Sequence, residues 1–188
     1  MSCITTIHSA AVLVELFNQC FLDSEYNTCL EGQGEEPIYL PRGSGRDVNT
    51  IVFTQDYFSS ALHEVSHWCI AGPQRLSQVD YGYWYAPDGR SAEQQALFEK
   101  VEVKPQALEW VFHKACACRF RVSADNLMAG MGASPVFKRA ILAQAHAYCA
   151  TGLQARPKRF AAALARYFGG DNYLDADAYS AQELDSFA

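Results

Sequence analysis

The sequence predicts an α+β fold that is mostly helical with a small antiparallel sheet, in one domain over residues 1–188. Helical periodicity with recognisable start and stop residues predicts several amphipathic helices. Short β-rich runs bounded by turn residues predict the sheet. One predicted helix carries the motif His63-Glu64-Val65-Ser66-His67, and we expect that helix to pack on a second, longer one.

The bulk properties favour a soluble protein with one core. Of the 188 residues, 49% are apolar, which is enough to bury a core of domain size. No apolar stretch is long enough to span a bilayer, and no basic-then-apolar start resembles a signal peptide, so we expect a cytoplasmic protein without a membrane partner. The net charge of −6 argues against nucleic-acid binding. The 7 scattered cysteines do not form a disulfide framework.

The N-terminal third supplies a core helix and the sheet. Residues 6–21 place apolar side chains on one helical face. Residues 31–36 are polar and contain glycine, which predicts a loop. Residues 36–41 form an extended piece bounded by prolines, as suits an edge strand. Residues 50–53 are a strand candidate that leads into the helix with the two histidines.

The helix with the two histidines has clear start and stop signals. Asp56 is a candidate N-cap, and Gly72-Pro73 is a candidate C-terminal stop. On a helix, residues four apart lie one above the other, so His63 and His67 can direct two imidazoles at one point. Both lie at the border of the apolar face and Glu64 lies beyond it. This pattern favours a metal site at the bottom of a cleft over two histidines that only hydrogen-bond in the interior.

An aromatic stretch follows the histidine helix. Tyr81, Tyr83 and Tyr85 alternate with Gly82 and Trp84, as in a strand, and a Pro-Asp-Gly turn comes next. The aromatic rings either complete the core or form the wall of a substrate pocket. Tyrosine hydroxyls in such a wall supply oriented hydrogen bonds, so Tyr83 is a candidate catalytic residue.

The remaining chain predicts helices. A capping-box pattern at Ser91 begins the longest one, which runs to about Cys116, and Pro105 inside it should kink or restart it. Three more segments have helical start or stop signals: Ser134-Pro135 to Gly152, residues 157–168 before Gly169-Gly170, and a last turn from Ser180.

A site with two histidines needs at least one more protein ligand, usually a carboxylate. The long helix offers Glu99, Glu102 and Glu109. With Leu97 as the angular reference, Glu102 and Glu109 lie at the edge of the apolar face and Glu99 lies well round from it. We choose Glu102, which comes just before the proline, with Glu99 in reserve. We expect Glu109 to be a solvated carboxylate.

Lys104 falls on the expected apolar face of the same helix. An unpaired ammonium there would be costly. It therefore either extends to solvent or pairs with a carboxylate near the site, and in the second case it is a candidate catalytic residue.

Four stretches together resemble the bacterial elongation factor P hydroxylase family, in its order and spacing. They are Glu36-Pro37-Ile38-Tyr39-Leu40-Pro41, the segment 63–72 that begins with His63-Glu64-Val65-Ser66-His67, the aromatic segment 80–90, and the segment 98–108 around Glu102-Val103-Lys104-Pro105. This resemblance covers most of the chain and is much more specific than the histidine motif alone.

The resemblance implies a non-haem Fe(II) enzyme that uses dioxygen to hydroxylate the lysine of elongation factor P after that lysine has received a β-lysyl group. It implies a site of two histidines and one carboxylate, which on this chain would be His63, His67 and a glutamate of the segment 98–106. Zinc or another divalent metal can replace iron during purification, because zinc binds such mixed sites more tightly.

Two other functions fit the motif alone. In a zinc metallopeptidase, Glu64 would be the general base that activates a zinc-bound water. In a non-catalytic protein, a fourth ligand such as His113 would close the metal site. The catalytic candidates are therefore Glu64, Tyr83 and Lys104, and the metal candidates are His63, His67 and Glu102.

Overall fold

The computed structural model describes residues 8–81, 90–124 and 132–185. The six helices of these ranges are α1 Ala10–Phe21, α2 Phe58–Ile70, α3 Ala92–Ala115, α4 Pro135–Thr151, α5 Ala155–Phe168 and α6 Ala181–Asp185. Its three strands are β1 Thr28–Gly34, β2 Ile38–Leu40 and β3 Asn49–Thr54. The prediction of a mostly helical protein with a small sheet is confirmed.

The sheet is mixed, so the prediction of an antiparallel sheet is wrong. Its strand order is β1-β3-β2, with β1 parallel and β2 antiparallel to the central β3. The predicted loop 31–36 was also wrong in part, because Glu31 and Gly34 pair with β3 on either side of a bulge. The β1 strand is anchored by its first three residues, which are buried. The proline-flanked β2 lies at the sheet edge, as predicted.

Two helix boundaries differ from their predicted positions. The α1 helix starts at Ala10, where the hydroxyl of Ser9 accepts a hydrogen bond from the backbone N–H of Val12. The α2 helix has Tyr57 rather than Asp56 at its N-cap and makes no side-chain cap bond. The helix ends at Ile70 with Ala71 as its C-cap, so Gly72 lies at the C′ position, as predicted.

The long α3 helix begins with the capping box that the sequence predicts, between Ser91 and Gln94. It passes through Pro105 as a single helix, so the proline does not restart it. Its buried face is rotated from the predicted one, because Leu97 and Val101 are 40% and 43% exposed. Polar side chains occupy part of the buried face instead.

The core joins apolar side chains of all six helices with those of the sheet. The α2 helix lies between α3 and β3 and buries Leu62 and Val65 completely. The α5 helix packs on α1 and α3 and ends at Gly169, which has the left-handed backbone that its type permits. These contacts fix α2 against α3 along the face that carries the histidines. Within the described residues, no helix is long and apolar enough to cross a membrane.

Candidate metal centre

The two histidines of α2 point at one spot. His63 and His67 lie one turn apart, their ring centroids are separated by 4.7 Å, and their planes are inclined by 70°. The two Nε2 atoms are 3.1 Å apart. Both side chains are largely enclosed, with 22% and 13% of their surface exposed. Each histidine therefore presents a nitrogen to the same small space, which is largely closed to solvent.

Glu102 of α3 reaches the same spot. Its Oε1 lies 3.2 Å from Nε2 of His67, and its Oε2 lies 3.6 Å from Nε2 of His63. One atom from each of the three side chains falls within 4.8 Å of the others. Two packed helices thus bring two imidazoles and one carboxylate together, across 35 residues of sequence from His67 to Glu102.

This arrangement fits a divalent metal ion. Atoms about 3 Å apart can share an ion with bonds of about 2.0–2.2 Å, which are the lengths that nitrogen and carboxylate ligands make. Two imidazole nitrogens and a carboxylate are all hydrogen-bond acceptors in their metal-binding forms, so at 3.1 Å they need a cation or a proton between them. Two histidines and one carboxylate are the donor set of non-haem Fe(II) oxygenases.

The electrostatics keep Glu102 ionised. Burial by itself raises the pKa of this carboxyl group, which is only 3% exposed. The pKa is nevertheless lowered to about 2, because the charges of His67 and His63 and the hydrogen bonds from His67 and Gln106 outweigh burial. The Gln106 amide donates to Oε2 of Glu102 at 3.4 Å. A carboxylate that stays charged when buried is ready to bind a metal.

Glu109, which the sequence led us to expect in solvent, is buried with 6% exposed. Its Oε2 accepts a hydrogen bond from Nδ1 of His63 at 2.8 Å. This bond places a proton on Nδ1 and turns Nε2 toward the metal position. Burial lowers the pKa of His63, but the hydrogen bond and charge of Glu109, with the charges of Glu102 and Glu64, raise it well above its ordinary value.

His113 completes a line of hydrogen bonds behind Glu109. Its Nδ1–H donates to the backbone oxygen of Glu109 at 3.0 Å, and its Nε2 lies 3.3 Å from the hydroxyl of Ser59. Burial lowers the pKa of His113, although Glu109 opposes this shift. A neutral His113 with a proton on Nδ1 accepts from Ser59. His113 is absent from the group of converging ligand atoms, so it supports the site from behind.

The reserve metal ligand Glu99 and the catalytic candidate Lys104 lie elsewhere on α3. Glu99 binds Ser134 at the start of α4, where its Oε1 accepts from the backbone N–H at 3.0 Å and its Oε2 from the hydroxyl at 2.5 Å. Lys104 is exposed, and two positions along a helix put it about 200° round the axis from Glu102. The expectation that Lys104 lies on a buried face was therefore wrong. Its catalytic role stays a prediction.

The remaining candidates are Glu64 and Tyr83. Glu64 follows His63 on α2 and lines a small cavity next to His67. Burial raises the pKa of Glu64, and the charges of His63 and His67 lower it in part. Tyr83 lies outside the described residues, together with Trp84 and Tyr85. The aromatic wall that these residues would form remains a prediction.

The polar residues behind the metal position could have been predicted from their spacing on α3, although they do not belong to its apolar pattern. Glu102, Gln106, Glu109 and His113 follow each other at intervals of four, three and four residues, so they share one face of α3. All four are buried. Polar side chains at helical spacing are uncommon in a core, and here they mark the face that meets α2.

Comparison with known proteins gives a consistent result. The family model described as elongation factor P hydroxylase matches residues 16–179. The chain is similar to the elongation factor P lysine hydroxylase of Haemophilus influenzae, with 46% identity over 168 residues. That alignment covers 89% of this chain and 94% of the relative. Both α2 and α3, with every residue of the metal centre, lie inside the range that the family model matches.

Proposed function

The chain belongs to the elongation factor P hydroxylase family, and on that premise we propose that it hydroxylates a lysine side chain of elongation factor P. We further propose that it does so at an Fe(II) ion held by His63, His67 and Glu102, with dioxygen as the oxidant. The observation that carries this proposal is the convergence of two imidazole nitrogens and one buried carboxylate from α2 and α3. Three protein ligands leave positions open for reactants.

The chemistry divides between the metal and the chain. When bound, Fe(II) supplies the activation of dioxygen, which amino-acid side chains lack. Glu102 and the two histidines hold the ion. Glu109 keeps a proton on Nδ1 of His63, so that the other nitrogen is available to the metal. The buried surroundings of these groups exclude bulk water, which would compete for open positions and for reactive species.

The substrate side chain is long and cationic in this proposal, because the lysine carries a β-lysyl group before it is hydroxylated. The net charge of −6 is compatible with such a substrate. Tyr83 and its aromatic neighbours are proposed to line the approach to the metal. A translation factor is found in the cytoplasm, and we propose that the enzyme works there too.

The test is oxygen-dependent hydroxylation by the reconstituted protein. Metal-free protein is loaded with ferrous iron under anaerobic conditions and mixed with β-lysylated elongation factor P and a mild reductant such as ascorbate. After ¹⁸O₂ is admitted, mass analysis should show a gain of one labelled oxygen on the modified lysine.

Two variants of α3 serve as a matched pair in this assay. Glu102→Gln should form no product, because it removes a proposed ligand, whereas Glu99→Gln should retain activity, because Glu99 faces α4. Product without added metal, or equal activity in the two variants, would disprove the proposed site. Oxygen derived from water would disprove the oxygenase chemistry.

A further inference from the structure

A small cavity of about 30 Å³ lies beside the metal centre, between α2 and the edge of the sheet. One wall is formed by Glu64, His67 and Trp68 of α2 and by Ala71, which follows the helix. Tyr39 of β2 belongs to the opposite wall. The volume has room for about two water-sized groups, since a single water needs about 10–15 Å³.

Most polar groups of this cavity already have partners. The hydroxyl of Tyr39 donates to the backbone oxygen of Leu76 at 3.1 Å. Arg75 and Asp80 form an ion pair, so their charges offset each other. The backbones of Tyr39 and Asp80 also hold each other, through hydrogen bonds of 2.7 and 3.0 Å. The rim of the cavity is therefore fixed by contacts within the chain.

Glu64 differs from these groups. Within residues 8–81, 90–124 and 132–185, no hydrogen bond or ion pair includes its side chain. The cavity thus carries one carboxylate without a direct partner among those residues, while the nearby Arg156 lies over the Trp68 ring and donates to the backbone oxygen of Ala71. A partly buried carboxylate in this situation favours a cationic occupant that can donate hydrogen bonds.

We propose that Glu64 binds the terminal ammonium group of the substrate side chain in this cavity. The inference rests on the proposed function, and it adds the group that selects a cationic side chain. Three features support it: the small volume of the cavity suits an ammonium group, the Glu64 carboxylate has no hydrogen bond or ion pair among the described residues, and His67 belongs both to the cavity wall and to the metal cluster. An ammonium held there anchors the β-lysyl end of the modified side chain next to the metal centre.

The first test measures binding without catalysis. Protein loaded with zinc, which has no redox chemistry, is titrated by NMR with n-butylammonium chloride and with n-butanol, a neutral molecule of similar size. We expect the ammonium to bind at least about tenfold more tightly, as a charge-assisted hydrogen bond would give. Glu64→Gln should remove this preference. Glu35→Gln, which removes the same charge at an exposed position, should keep it.

The second test separates binding from chemistry. With β-lysylated elongation factor P, Glu64→Gln should raise KM by about tenfold or more, with a smaller effect on kcat, while Glu64→Asp should lie between it and the wild type. Metal content and circular dichroism check that the variants are folded and loaded. A fall in kcat alone, with KM unchanged, would overturn the assignment.

The two proposals fail in different ways. Wild-type protein that binds butylammonium and butanol equally would overturn the role of Glu64, even if the protein hydroxylates elongation factor P. A preference for butylammonium that depends on Glu64, in a protein that does not hydroxylate the factor, would support the cation site and overturn the proposed function. If Glu64→Gln does not fold, the wild-type comparison of the two probes still decides.

Discussion

Nδ1 of His63 on α2 and Oε2 of Glu109 on α3 lie 2.8 Å apart, so the helix that supplies the carboxylate at the metal position also orients one of the imidazoles. Glu102 and Glu109 are seven residues apart, which is two turns of α3, and both face α2. One helix–helix contact thus sets both the position of the carboxylate and the orientation of His63.

Glu109→Gln should weaken metal binding by about 10- to 100-fold, as the loss of a carboxylate behind a metal-bound histidine does. Glutamine can still accept the hydrogen bond from His63, but it has no charge to make the imidazole more basic. Competition with a chelator dye measures the affinity. Glu93→Gln, at an exposed position of the same helix, is the control. Equal affinities for the two variants would show that the Glu109 contact is unimportant.

Glu102→Gln should lower the metal affinity by more than about 100-fold. It removes a proposed ligand, whereas Glu109→Gln changes only a residue that hydrogen-bonds to a ligand. Glu99→Gln is the matched control, because Glu99 lies one turn earlier and binds Ser134. Elemental analysis after dialysis against trace metal should find the ion in the control variant only. Metal retained by Glu102→Gln would show that another group is the third ligand.

Metal binding should release a proton and become tighter as pH rises. The pKa of His63 is raised well above its ordinary value in the metal-free protein, despite burial, by Glu109 and the nearby carboxylates. At neutral pH the metal must therefore displace a proton, and the affinity should rise about tenfold per pH unit until the raised pKa is passed. Calorimetry in buffers of different ionisation enthalpy counts the released protons.

The sign of this effect can be checked with Glu109→Gln. Removing the largest stabiliser of the protonated imidazole lowers the pKa of His63, so fewer protons should leave at neutral pH and the rise in affinity should end at a lower pH. A metal affinity that does not change with pH in the unmodified protein would contradict the protonated state of His63.

Lys104→Met should leave metal affinity within about twofold of the wild type, because the exposed side chain lies on the far side of α3 from Glu102. Chelator competition and the hydroxylation assay are measured together. Lost hydroxylation with normal metal binding would support a role for Lys104 toward the protein substrate. Weakened metal binding would contradict its exposed position.

Gly170→Ala should destabilise the fold by about 1–3 kcal/mol, the usual cost of overpacking. Gly170 follows α5, and its N–H donates to the backbone oxygen of Ala115 at 3.2 Å. A Cβ there would overlap the backbone carbonyls of Lys114 and Ala115, which cannot move aside as a flexible side chain can. Thermal unfolding should show a Tm lower by several degrees.

Gly72→Ala is the control for this packing test. A Cβ at Gly72 meets nothing within 4 Å, so its Tm should stay close to that of the wild type. Equal Tm values for the two variants would mean that the end of α5 does not pack on α3 as described.

Local features of the molecule could be predicted from the sequence. The capping box of Ser91 and Gln94, the Ser134 cap and the left-handed Gly169 all form where their residue types predict them. The closeness of His63 and His67 is equally local, because four residues make one turn of helix. None of these features depends on a distant part of the chain.

Burial along α3 does not follow the apolar side chains alone. Leu97 and Val101 define an apolar arc on α3, yet both are substantially exposed, and the polar Glu109 and His113 are buried. Burial of these polar groups is possible because each finds a partner on α2 or on its own helix. The parallel pairing of β1 with β3 could not be predicted from these segments alone. The partner and direction of a strand depend on the layers that cover the sheet.

The family, the helices and the pair of imidazoles could be predicted before the fold was known, because resemblance and helical geometry depend on the order of residues along the chain. The roles of the three glutamates depend on helix packing: Glu102 meets those imidazoles, Glu109 orients one of them, and Glu99 binds the start of α4. The rotation of α3 about its own axis is fixed by its simultaneous packing on α2, α4 and α5, and this rotation selects the side chains that face α2. A turn of that helix by one residue would direct different side chains toward the two histidines.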